Sequence, residues 1–275
     1  MTRGHVHHGP GDAVFIEPLV IVIALLAGVG YLWAAAHLRR RGDDWSRRRD
    51  GSFTLGVAGL AWAVVGIEAG GPFTAHMAQH LVVGMAAPLL LVLGRPVTLA
   101  LRALPPGRRR RGLLAVVHSR CAEWLLCPPV AAVLDVGGLW LLYRTGLFEA
   151  TRDQPLLHAV VHAHVLAAGL LFTVAICQLD PVRRRWSLMV RGGTLLATGA
   201  VHAVLAKSLY ATPPAGTAFD TTDLHAGARL MYYGGDLVEL ALAVILAVQW
   251  FTATGRALTR ARRARAATPA LPSAR

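Results

Sequence analysis

His76 and His80 lie four residues apart, and His158 and His162 repeat that interval. On a helix this spacing places both imidazoles of a pair on one face. Two such faces turned toward each other would offer four neutral nitrogens to one ion, a donor set that suits zinc, copper and iron. Met77 adds a nearby thioether, which tilts the choice toward Cu(I). The run reads His-Met-Ala-Gln-His and lacks the glutamate base of the His-Glu-x-x-His zinc hydrolases. No nucleophile–base motif stands out elsewhere, so the sequence predicts no enzyme.

Other ionisable groups accompany these four candidates. His202, Asp135, Lys207, Asp236 and Glu239 fall within apolar stretches, and His225 and Met231 lie just before or within the last of them. An ionisable side chain in a bilayer is costly and asks for a partner or a purpose. One reading orients the histidines with Asp135, Asp236 and His202 and adds Met77, Met231 or His225 as further ligands. The plainer reading makes the histidines interhelical hydrogen-bond donors, the methionines apolar filler, and the charges mutual partners. His164, two residues beyond His162, falls near the opposite helix face. His5, His7 and His8 form a short tract able to hold copper or zinc weakly.

The elements that must carry these groups follow from composition. Of 275 residues, 55% are hydrophobic and only 16% charged, and mean hydropathy is +0.48. The charges fall in runs between apolar stretches, the pattern of an all-α, polytopic membrane protein. Seven stretches are long enough, at about 14–37, 53–71, 74–94, 122–143, 157–179, 190–210 and 228–253. Gly70-Gly71-Pro72 separates the second from the third, and residues 95–112 read as an interfacial piece and a loop. Arg39, Arg40 and Arg41 read as a stop-transfer flank, so the first helix is expected to stay uncleaved. Residues 1–13 form an outer tail, 14–253 the helical domain, and 254–275 a basic tail expected to be disordered.

Twenty-three of the 28 basic residues flank these stretches on one side, and four lie on the other. The basic side is cytoplasmic by the positive-inside rule, which puts the amino terminus outside and the carboxyl terminus inside. Glu17 and Glu68 then mark outer helix ends, and most histidines fall in the outer half. Arginines beside bilayer-length spans answer to topology and anionic lipid, so nucleic acid is not an expected partner. Cys121, Cys127 and Cys177 form no CxxC and are read as reduced thiols.

The stretch from Phe73 to His80, continuing from Ala87-Pro-Leu-Leu to Gly94-Arg-Pro96, resembles the CtaG-type polytopic cytochrome c oxidase assembly factors. The resemblance extends to His158 and His162 as the family's HxxxH, to His202 as its single histidine, and to Asp223-Leu-His-Ala-Gly-Ala-Arg-Leu-Met231. It departs at Ala87 and Tyr232, where the family often has Pro and Trp. It implies seven helices in a bacterial cell membrane and a role in maturing terminal oxidases at copper insertion. Oxidase subunits would be its partners, together with membrane lipid.

The leading expectation is therefore an assembly factor that holds copper transiently at His76, His80, His158 and His162. A b-type haem protein, with histidines of two helices on opposite haem faces, is one alternative. A metal-free scaffold is the other.

Overall fold

The computed structural model describes residues 11–66 and 70–267. His5, His7, His8 and Glu68 lie outside the described residues. The described fold is wholly helical. In chain order, α1 is Gly11–Arg40 and α2 is Arg47–Val65. Helix α3 is a continuous rod of Pro72–Leu81, a π-helical turn Val82–Ala86, and Ala87–Leu93. Three short helices follow: α4 (Pro96–Ala103), α5 (Arg108–Val117) and α6 (Arg120–Leu125). Helix α7 joins Pro128–Ala132, a π-helical turn Val133–Gly137, and Gly138–Arg144. The chain ends with α8 (Leu147–Asp153), α9 (Pro155–Cys177), α10 (Leu188–Ala211) and α11 (Thr221–Ala267).

Five helical segments are long and apolar enough to cross a membrane: Ile21–Arg40, Pro72–Ala103, Pro155–Cys177, Leu188–Ala211 and Thr221–Arg256. A sixth arises if Arg108–Leu125 and Pro128–Arg144, bent by 69°, form one span. Large apolar side chains such as Leu26, Trp33, Leu196, Leu237 and Phe251 project outward, more than 60% exposed. An aqueous protein does not display such a surface, whereas hydrocarbon tails cover it at no cost. The chain is a multi-pass membrane protein.

The observed boundaries differ from the hydropathy reading for local reasons. Helix α2 starts earlier than expected, because Ser46 accepts a hydrogen bond from the Arg48 amide and the arginines form its first turn. It stops at Val65, where Gly66 takes a φ of 103°. The Pro128-Pro129 pair breaks the fourth stretch and produces its bend. Helix α11 begins at Thr221, capped by the Asp220 carboxylate on the Thr222 amide at 2.8 Å. It runs on to Ala267, since Ala and Arg are strong helix formers. His225, expected in a loop, therefore sits inside α11.

Two aspartates fasten helix starts across long sequence distances. Pro72 opens α3, where its missing N–H costs nothing. The next amides, of Phe73 and Thr74, donate to the Asp223 carboxylate of α11 at 2.8 and 2.9 Å. Asp180 does the same for α4, accepting from Val97 and Thr98 at 3.3 and 2.9 Å. At the other end of α9, the buried Arg191 guanidinium donates to the Ile176 carbonyl and to Gln249, both at 2.9 Å. These ties set the axial position of α3 against α11 and of α9 against α10.

Helices α3 and α9 approach closely because neither has a side chain at the crossing. A β-carbon on Gly169 would strike the Gly84 carbonyl oxygen and stand 3.3 Å from Pro88. Such small-residue contacts let backbones meet in a membrane, where packing rather than hydrophobicity holds helices together. Gly234 of α11 receives Leu81 of α3 in the same way, with a β-carbon falling 2.5 Å from its Cδ1.

Candidate functional site

The close crossing of α3 and α9 brings their histidines to one level. The His76 and His162 ring centres are 6.5 Å apart, nearly perpendicular. His158 stacks on His162 at 4.1 Å, one turn farther out, and is exposed. His162 Nδ1 lies 3.0 Å from the His158 carbonyl, as expected for residues four apart on a helix. His80, the fourth predicted ligand, turns the other way. Its nearest histidine is His202 of α10, at 6.4 Å between ring centres. The candidates thus form a row, His158–His162–His76–His80–His202, which passes from an exposed helix face into the protein.

Among the described residues no three His, Cys, Asp or Glu side chains converge on one point as they stand. With metal–nitrogen bonds near 2 Å, two imidazoles sharing an ion have ring centres about 5–6 Å apart. The separations of 6.4 and 6.5 Å exceed this slightly, so the His76–His162 and His80–His202 pairs would each reach an ion by a small side-chain rotation.

Two small cavities accompany the row, each of ≈ 20 Å³ and large enough for one ion or water. One is lined by His76, His80, Tyr143, Thr151 and His162. The other is lined by His80, Met85, Asp135, Thr198, His202 and Glu239. His80 belongs to both walls. It is only 6% exposed, and neither of its ring nitrogens has a hydrogen-bond partner. His202 is 3% exposed and its Nε2 is equally unpartnered, while its Nδ1 stands 3.5 Å from Glu239 Oε1. Buried polar atoms are nearly always satisfied in folded proteins, so three orphan imidazole nitrogens beside open space ask for a ligand.

The local backbone makes this space. A π-helical turn follows His80 directly, and a second carries Asp135. Such turns insert a residue into a helix, re-aim side chains, and cluster at functional positions. Gly84, one turn below His80, leaves its ring free, since a β-carbon there would stand 3.3 Å from His80 Cε1. Gly235 makes room for the His202 ring, with a β-carbon falling 2.8 Å from Nδ1, and Gly199 makes room for the Glu239 carboxylate.

The remaining candidates have varied placements. Met77 and Met231 are fully buried in an apolar cluster with Phe73, Leu139, Tyr143 and Leu205. Met85 lines the inner cavity instead. Asp236 is exposed on α11 and lines neither cavity. His225 stacks on Tyr210 at 3.9 Å, away from the row. His164 is exposed, with Nε2 3.2 Å from the Leu134 carbonyl, on a face that His158 and His162 do not share. Lys207 lies over the Tyr232 ring at 5.3 Å, and among the described residues it forms no ion pair with Asp135, Asp236 or Glu239.

Tyr143 is a site residue that the sequence did not single out. Its hydroxyl lies 2.9 Å from His76 Nε2, and its ring centre is 6.4 Å from that of His80, so it stands between the two. No spacing rule marks it, because it comes from α7 and meets the histidines only through packing. Glu239, which the sequence offers as an ion-pair partner or as a group that orients the histidines, lines the inner cavity.

A bundle of membrane-crossing helices enclosing a histidine row defines a class of polytopic membrane protein, and comparison narrows it. Residues 29–253 match the cytochrome c oxidase caa3 assembly factor family, and the chain belongs to that family. An uncharacterised protein of Mycobacterium bovis is 32% identical over 265 residues, covering 89% of this chain and 40% of that protein. A Mycobacterium tuberculosis protein matches to the same extent. One from Mycobacterium leprae is 30% identical over 256 residues, covering 85% of this chain and 39% of its own length. The chain thus spans about two-fifths of the length of these relatives. No solved structure matches it.

Proposed function

We propose that this chain is a non-enzymatic assembly factor of a bacterial cell membrane that carries copper to a cytochrome c oxidase subunit along its histidine row. The family supports the oxidase-assembly part. One structural observation carries the copper part: His80 is buried beside two cavities with both ring nitrogens unpartnered. His76, His80, His158 and His162 are the ligands of this reading, and His202 extends them inward. The His76–His162 and His80–His202 pairs, each slightly wider than one-ion spacing, suit a low-coordinate Cu(I) that exchanges ligands rather than a closed resident site. Copper here is cargo.

In this reading the chain crosses the membrane seven times, counting α2 as a span. Its 19 residues reach about 28 Å, close to the thickness of a bilayer core. The arginine-rich connections face the cytoplasm and the amino terminus lies outside. The histidine row then occupies the outer half of the membrane, and His158, the exposed member, is its mouth.

Copper is preferred over haem on volume. A porphyrin needs a slot of several hundred Å³ (roughly 300 or more), whereas the cavities beside these rings are ≈ 20 Å³ each.

The test is a Cu(I) titration of purified protein against a chromophoric chelator, with oxidase maturation followed in cells. About one copper per chain is expected, and His80→Ala should abolish both binding and maturation. Full copper content and normal oxidase in that variant would overturn the reading.

A further inference from the structure

We propose that the inner chamber formed by His80, His202, Asp135 and Glu239 is a second cation site, one that takes a divalent first-row metal ion. It goes beyond the copper route, with which it shares His80 and His202, by adding the carboxyls of Asp135 and Glu239.

Four helices meet at this chamber: His80 comes from α3, Asp135 from α7, His202 from α10 and Glu239 from α11. No other place among the described cavities gathers two imidazoles and two carboxyls. The His80 and His202 ring centres are 6.4 Å apart, and Glu239 Oε1 lies 3.5 Å from His202 Nδ1; no three of these groups meet at one point as they stand, so an ion would have to draw them inward. The orphan nitrogens of His80 and His202 belong to side chains more than nine-tenths buried. At ≈ 20 Å³ the chamber admits one ion.

Charge and donor type choose the ion. Asp135 has no basic side chain at ion-pair distance among the described residues, and Glu239 has only the His202 ring. Carboxylates in a membrane interior are retained where a cation offsets them. A divalent ion balances two carboxylates, whereas Cu(I) would leave a net negative charge. The mixed nitrogen and oxygen set also suits Zn²⁺, Fe²⁺ or Cu²⁺ better than soft Cu(I). The chain has kept space for these groups rather than filling it. Gly235 and Gly199 leave room for the His202 ring and the Glu239 carboxylate, and a π-helical turn presents Asp135. A site that merely packed helices would not require this combination of vacated positions and unpartnered nitrogens.

The experiment uses the metal-stripped full chain in lipid nanodiscs, with Co(II) as a spectroscopic probe. The wild-type protein should bind one Co(II) per chain and show the intense ligand-field bands of a low-coordinate site. Glu239→Gln, which keeps the side-chain volume, should weaken Co(II) binding by about 10-fold or more and leave Cu(I) binding unchanged. His158→Ala should leave Co(II) binding unchanged. If Glu239→Gln no longer folds, judged by melting temperature and gel filtration, Asp135→Asn decides in its place. Absence of Co(II) bands in the wild type, or wild-type Co(II) affinity in a folded acid variant, would overturn the proposal. Loss of Co(II) in His158→Ala would overturn it as well, by placing the ion on the outer row. The Cu(I) titration is read separately, so failure of the copper route and failure of the chamber give different results.

Discussion

The carbonyl oxygen of Gly84 occupies the position that a β-carbon on Gly169 would need. This contact sets the distance between α3 and α9, and therefore the distance between His76 and His162. It lies two turns below the rings, yet it controls whether they can share an ion.

Gly169→Ala should force the two helices apart. Overpacking of a tight contact costs about 1–3 kcal/mol, so the melting temperature in nanodiscs should fall. Cu(I) affinity should fall with it, because the His76–His162 separation of 6.5 Å already slightly exceeds the spacing for one ion. A variant that melted lower but bound Cu(I) normally would show that the crossing serves stability alone.

Tyr143→Phe should strengthen Cu(I) binding. The phenol hydroxyl lies 2.9 Å from His76 Nε2 and must release it before that nitrogen can ligate. A net hydrogen bond is worth about 0.5–1.5 kcal/mol, so affinity should rise by roughly 2- to 10-fold. Chelator competition measures this directly. A fall in affinity would mean that the hydroxyl orients the imidazole for binding instead.

His158→Ala should act on rate more than on affinity. His158 is exposed and touches only His162 among the row's members, at 4.1 Å. Its loss removes the mouth of the row but leaves His162, His76 and the buried His80. Stopped-flow loading with Cu(I) should slow, while the equilibrium copper content stays near that of the wild type. Equal loss of copper in His158→Ala and His80→Ala would instead favour a single closed site.

Asp223→Ala should loosen the start of α3. The carboxylate accepts from the amides of Phe73 and Thr74 and from the Thr74 hydroxyl at 2.6 Å. Losing a helix cap of this kind costs about 1–2 kcal/mol. Hydrogen exchange at the Phe73 and Thr74 amides should speed up, and exchange at the Val97 and Thr98 amides, capped by Asp180, should not change.

Several features of the chain were legible in the residues alone. Long apolar stretches bounded by arginine runs identify a helical membrane protein, because a bilayer imposes one length and one polarity on every crossing. The four-residue intervals of His76/His80 and His158/His162 mark two helix faces, because 3.6 residues make a turn. The motif from Phe73 to Pro96 was enough for the family. Helix ends were less legible. Ser46, Asp220 and the Pro128-Pro129 pair set them through individual hydrogen bonds and one steric clash, which averaged hydropathy does not register.

The partners of each histidine were out of reach of the sequence. Residues four apart share a face in any helix, but which neighbour that face meets depends on where two rods cross and how far each is rotated. Here the Gly84–Gly169 contact sets the crossing, and a π-helical turn after His80 changes the rotation below it. His76 thus meets His162, His80 meets His202, and Tyr143 comes between them. Composition and periodicity act along one chain segment at a time. The row and its acidic end are built from α3, α7, α9, α10 and α11 together, so their geometry exists only once those helices pack.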